Sequence, residues 1–90
     1  MVAFDDCRES DGTMIEAKGP GFAKMLGGKF MAKRLKKRWL GQAERQMGAA
    51  GSRDVEWDFA EAKAAKTARR WFARKYRKIK VKVVPGELWS

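Results

Sequence analysis

Hydrophobic and polar positions along the chain follow two rhythms. Arg53 to Phe59 alternates with a period of two: Val55, Trp57 and Phe59 share one side, Glu56 and Asp58 the other. That pattern predicts a strand with one buried face. Lys78 to Val84 alternates in the same way and is closed by Pro85-Gly86. Near the start, Val2 to Cys7 and Thr13 to Lys18 read as two short strands around Asp11-Gly12, a strong turn signal, so a β-hairpin is expected. Gly19-Pro20-Gly21 ends the second of them.

The remaining stretches have the helical period. Phe22 to Leu26 predicts a short helix broken at Gly27-Gly28. Lys29 to Leu40 sets Phe30, Met31, Leu35 and Trp39 among many bases, and Gln42 to Ala50 continues it, with Gly41 a candidate kink and Gly51 a candidate C-cap. Glu61 to Tyr76 predicts a further helix whose connected face is Ala64, Ala68, Trp71, Phe72 and Lys75. The closing strand, helix and strand form a βαβ unit, which calls for parallel pairing. The expected fold class is α/β: a mixed four-stranded sheet with flanking helices, built as a β-hairpin, helices and βαβ. No repeat or linker interrupts it, so residues 1–90 read as one domain.

Charge sharpens this picture. Lys and Arg number 21 against 11 Asp and Glu, a net charge of +10, which favours a polyanionic partner through steering and counterion release. Nucleic acid is the first such partner, a membrane surface or an acidic protein the next. One basic cluster contains Lys29, Lys33, Arg34, Lys37 and Arg38, and another contains Arg69, Arg70 and Arg74. With no histidine, Ser-His and Cys-His catalysis and histidine-ligated zinc are excluded. The single cysteine, Cys7, cannot form an internal disulfide. No apolar run is long enough to span a membrane, and the acidic start lacks a secretory h-region.

The opening hairpin holds the candidate chemistry. With Asp11-Gly12 as a two-residue loop, Ser10 pairs with Thr13, Cys7 faces Glu16 and Asp5 faces Lys18. Asp5, Glu16 and Lys18 then converge on one side while Asp6 points to the other, and a one-residue bulge would exchange the two aspartates. Two carboxylates suit Mg2+ or Mn2+, which acidifies bound water and neutralises phosphate charge, while a neighbouring lysine stabilises the transition state. A carboxylate beside a lysine on a strand is also the ordinary form of a surface salt bridge. Trp39 and Trp71 are candidates for stacking on bases, although the size of an indole favours the core.

The stretch Phe4-Asp5-Asp6-Cys7 through Asp11-Gly12-Thr13-Met14-Ile15-Glu16-Ala17-Lys18-Gly19-Pro20-Gly21-Phe22 resembles the hallmark of a restriction-endonuclease-fold toxin family of the PD-(D/E)xK type, its fifth class. Gln42 to Gln46, Val55 to Glu61 and the strand Ile79 to Pro85 resemble it downstream. The resemblance implies a restriction-endonuclease-like core and a metal-dependent deoxyribonuclease, the C-terminal domain of a longer type VI secretion or Rhs-type effector. It implies secretion into the cytoplasm of rival bacteria, delivery or chaperone proteins, and a cognate immunity protein that holds the toxin inactive in the producer. It puts Asp5, Glu16 and Lys18 in the catalytic roles, with Asp5 and Glu16 on the metal. It adds Gln46, with Gln42 as the alternative, and solvent-facing is the ordinary reading for either. Three departures stand out: Asp58 where a histidine is expected, Asp6 where a glycine is expected, and no acid-bearing helix ahead of Asp5. A non-catalytic, basic nucleic-acid-binding module is the competing expectation.

Overall fold

Strand β3 (Val55–Phe59) carries the alternation seen in the sequence into three dimensions: Val55, Trp57 and Phe59 are buried on one side, and Glu56 and Asp58 lie on the other. A computed structural model describes residues 6–8 and 10–84 and gives the order β1 (Asp6–Cys7), β2 (Met14–Lys18), α1 (Phe22–Met25), α2 (Lys29–Ala50), β3, α3 (Ala62–Phe72) and β4 (Lys80–Val83). The sheet order is β1-β2-β3-β4; β2, β3 and β4 are parallel and β1 is antiparallel to β2. The fold class is α/β.

Both long helices cover the same face of the sheet. Trp39 of α2 meets Trp57 and Phe59 at ring-centroid distances of 6.0 and 5.3 Å, and Phe72 of α3 meets Trp57 at 5.0 Å. Trp39 also touches Phe22 of α1 and Trp71 of α3, so one fully buried indole joins every helix to the sheet. Ala64, Ala65 and Ala68 are buried on α3, and their small side chains let that helix approach the strands closely. Ile15, Ala17, Glu56, Asp58, Lys80 and Lys82 fall on the opposite face by register, in rows Ile15-Glu56-Lys80 and Ala17-Asp58-Lys82.

Three expectations about elements need correction. The hairpin register is two residues away from that of a two-residue loop: Asp6 pairs with Ile15, and Cys7 with Met14 rather than Glu16. The turn closes on Arg8, whose N–H donates to the Thr13 carbonyl at 2.8 Å and whose carbonyl accepts from the Gly12 N–H at 2.7 Å. Asp11 stabilises this longer turn by accepting from the Thr13 N–H, and Gly12 adopts φ 75. Helix α3 stops at Phe72 instead of Tyr76. The Ala73 N–H reaches back only to Arg70, and the chain turns so that Tyr76 packs edge-on against Phe72. Lys75 consequently lies off the helix face and exposed. Helix α2 is continuous through Gly41, and Gly51 terminates it with φ 62.

Candidate functional site

Glu16 and Lys18 are two apart on β2, so both side chains project to the helix-covered face. The two-residue register difference preserves this, because an even shift leaves each residue on its own side. Lys18 Nζ lies 3.0 Å from Glu16 Oε2. Helix α2 crosses above them and delivers two amides: Lys18 Nζ donates to Gln42 Oε1 at 2.7 Å, and Gln46 Nε2 donates to Glu16 Oε1 at 2.8 Å. Trp57 Nε1 donates to Gln46 Oε1 at 2.8 Å, and Lys18 Nζ sits 4.7 Å from the centre of the Trp57 ring.

The direction of each bond follows from chemistry. The indole N–H and the ammonium can only donate, so the oxygens of Gln46 and Gln42 must face them. The Gln46 amide nitrogen is thereby aimed at Glu16. Glu16 and Lys18 are buried to within 7% and 8% of full coverage, and Gln46 completely. The solvent-facing reading of Gln46 is therefore wrong, and both glutamines join the cluster rather than one. The donor role of Trp57 had no sequence signal, since its position in the alternating strand marks it only as apolar.

Along α2, Arg34, Arg38, Gln42 and Gln46 recur every four residues and form one ridge inclined to the helix axis. The ridge leads from the buried Gln46 through half-buried Gln42 to exposed Arg38 and Arg34. There Met25, Met31 and Leu35 join the two arginines around a cleft of ≈ 190 Å3. Lys29, Lys33 and Lys37 are exposed on other sides of the same helix. Arg69, Arg70 and Arg74 are exposed too, and Arg69 donates to the Val81 carbonyl at 2.9 Å.

Asp5 lies outside the described residues, so its expected convergence with Glu16 and Lys18 does too. Among the described residues no group of three His, Cys, Asp or Glu is arranged to hold a metal. Glu16 is the one carboxylate of the cluster there, and both its oxygens are engaged by Gln46 and Lys18. By themselves these residues do not fit Mg2+ or Mn2+, which take several hard oxygen ligands.

The other face of the sheet holds a second charged group that sequence reading did not assemble. Glu56, 1% exposed, receives Arg8 at 2.9 Å on Oε2 and Lys82 at 3.1 Å on Oε1. Burial pushes the Glu56 carboxyl up, but hydrogen bonds from Asp58, Lys82 and Arg8 prevail and hold it below the ordinary value. Its neighbour Asp58 is pushed up to about 6, by burial first and then by sharing a hydrogen bond with Glu56. Asp58, the position where the resemblance calls for histidine, thus stands across the sheet from Glu16 and Lys18.

No protein-family model, curated protein or solved structure matches this chain. No helix among the described residues is long and apolar enough to cross a membrane.

Proposed function

We propose that this domain is a metal-dependent nuclease that hydrolyses phosphodiester bonds of DNA at the Glu16–Lys18–Gln42–Gln46 cluster. The observation that carries the reading is the buried contact between Glu16 and Lys18, with an amide from α2 on each. Burying an ion pair rarely stabilises a fold better than an apolar pair of similar volume. A small domain has little stability to spare, so a purely structural origin for the pair is the weaker explanation.

In this reading Lys18 acts as a fixed cation. Glu16, Gln42 and the Trp57 ring hold its ammonium in place, ready to offset negative charge that develops on phosphate oxygens. Gln46 and Lys18 together hold the Glu16 carboxylate in a fixed orientation. Arg38 and Arg34, on the ridge leading out from Gln42, take the flanking phosphates. The metal requirement rests on Asp5 as the second carboxylate. Supporting all of this is the resemblance of residues 4–22 to PD-(D/E)xK toxin nucleases, which also supplies the toxin role, delivery by a secretion system and the cognate immunity protein. The restriction-endonuclease-like core belongs to the same proposal; in its favour, β2 bearing Glu16 and Lys18 runs through α2 into a parallel neighbour.

The test is plasmid nicking in Mg2+ and in Mn2+ by the wild type, Glu16→Ala and Lys18→Ala. Each variant is expected to lose at least about a hundredfold in rate, as removal of a charge-stabilising group generally does. EDTA should abolish wild-type cleavage. Equal cleavage by all three proteins would remove the site assignment. Salt-sensitive DNA binding with no strand breaks would favour the competing reading, a basic binding module, for which the mutual neutralisation of Glu16 and Lys18 is the supporting observation.

A further inference from the structure

A second groove lies around α2 from the Glu16 ridge, between the first turns of that helix and α3, with a volume of ≈ 340 Å3. Lys63, Lys66 and Arg70 line it from α3, Leu26 and Ala32 form the facing wall, and Thr67 and Trp71 complete the lining. The three cations recur at intervals of three and four residues, so helical geometry sets them in one stripe about 10 Å long. On α2, Lys29 and Lys36 stand three residues before and four residues after Ala32, on the ridge bordering the same groove. All five cationic residues are exposed. The ion pairs of the described residues engage Arg8, Lys18, Lys75, Lys80 and Lys82 and leave these five to other partners. Trp71 is half-buried, braced edge-on against Trp39 at 5.4 Å.

We infer that this groove binds a single-stranded stretch of nucleic acid, with phosphates along the two cationic stripes and a base against Trp71. The choice of occupant rests on the proposed nuclease function. An aromatic side chain between lines of positive charge is the arrangement that holds single strands with little regard to sequence. An acidic polypeptide would satisfy the lysines and give the indole no stacking partner. The groove lies apart from the Glu16 ridge, so it anchors the strand away from the place of cleavage and favours frayed or unpaired substrates over intact duplex.

Fluorescence anisotropy with labelled oligo-deoxythymidylate and the full chain tests this, in EDTA so that no strand is cut. The double variant Lys66→Ala/Arg70→Ala should weaken binding about tenfold or more and reduce the slope of log K against log salt by about 1.4, the value for two phosphate contacts on a single strand. Arg77→Ala/Lys78→Ala removes the same charge outside the groove and should change binding less than about threefold. Trp71→Phe should retain affinity, whereas Trp71→Leu should lose about fivefold or more; circular dichroism verifies that each variant is folded. Equal weakening by the two double variants would overturn the inference, as would tighter wild-type binding to poly-glutamate or phosphatidylserine vesicles than to the strand. Because binding is read without cleavage, an absent nuclease activity leaves this result standing. A working nuclease with an unaltered Lys66→Ala/Arg70→Ala double variant sinks the groove alone.

Discussion

Gln46 is the residue on which the buried polar cluster hinges. It accepts from Trp57 and donates to Glu16, so replacing it with alanine strands a buried indole N–H and one carboxylate oxygen at once. Unpartnered buried groups cost about 1–3 kcal/mol each, and Gln46→Ala is expected to destabilise the domain by about 3 kcal/mol in urea unfolding. A change under about 0.5 kcal/mol would mean that the two contacts are dispensable. Asp58 provides a pH signature. Its folded pKa, about 6, lies above its ordinary 3.8, so the protonated form is the one the fold favours. Its contribution is therefore present in acid and is lost as pH rises from about 4 through 6. Glu56 has the opposite sign, contributing above its ordinary value and losing that contribution in acid. Asp58→Asn should thus gain about 1 kcal/mol relative to wild type between pH 4 and pH 7, a figure already reduced for the solvent screening of a half-buried group. Thermal melts across that range check it; a flat difference would contradict the raised Asp58 carboxyl. At this scale the sequence was legible where one strand suffices: Glu16 and Lys18 share a side by parity alone. It was silent where contacts cross elements, as in the Arg8–Glu56–Lys82 group, because those depend on the register of three strands.

Elements were easier to read than their ends. The alternation of Val55 to Phe59 and the Gly51 stop were visible because each rests on local geometry. The end of α3 was not, because the favourable helix propensity of residues 73–76 yields to the burial of Tyr76 and Ile79 in the core. The hairpin register was missed for a related reason: the Asx-type contact of Asp11 with Thr13 lengthens the turn beyond what Asp-Gly alone suggests. Glu61 illustrates a tie between distant elements. Its Oε1 accepts the N–H groups of Gly21 and Ala23, both at 3.0 Å, and so satisfies the start of α1 from the residue preceding α3. Helix starts that lose such an acceptor cost about 1 kcal/mol. Glu61→Ala should show that loss in denaturant unfolding, together with faster amide exchange at Ala23; unchanged exchange would mean that water replaces the carboxylate without penalty.

At the scale of the molecule, charge is segregated by depth. The acids that matter most, Glu16 and Glu56, are buried beside bases, while most cations stand on α2 and α3. Duplex DNA should therefore bind through phosphates, and its affinity should fall about a hundredfold between 50 and 200 mM salt if about four phosphates are neutralised. Filter binding at several salt concentrations measures this, and a nearly flat dependence would deny the electrostatic footing of the proposed function. The basic character of the surface was legible from composition. Its division between the Arg34–Arg38 ridge and the Lys63–Arg70 groove needed the helices to be set against each other.

Strand β4 is the outermost of the parallel strands, and Lys80 and Lys82 project from it toward Asp54 and Glu56. Peeling that strand away would abandon a shielded carboxylate, and among the described residues no strand pairs with its outer backbone, where a sister molecule would bring a second lysine row alongside the first. The border of the sheet is thus fortified twice, by anchorage inward and by repulsion outward, against fibrillar self-templating.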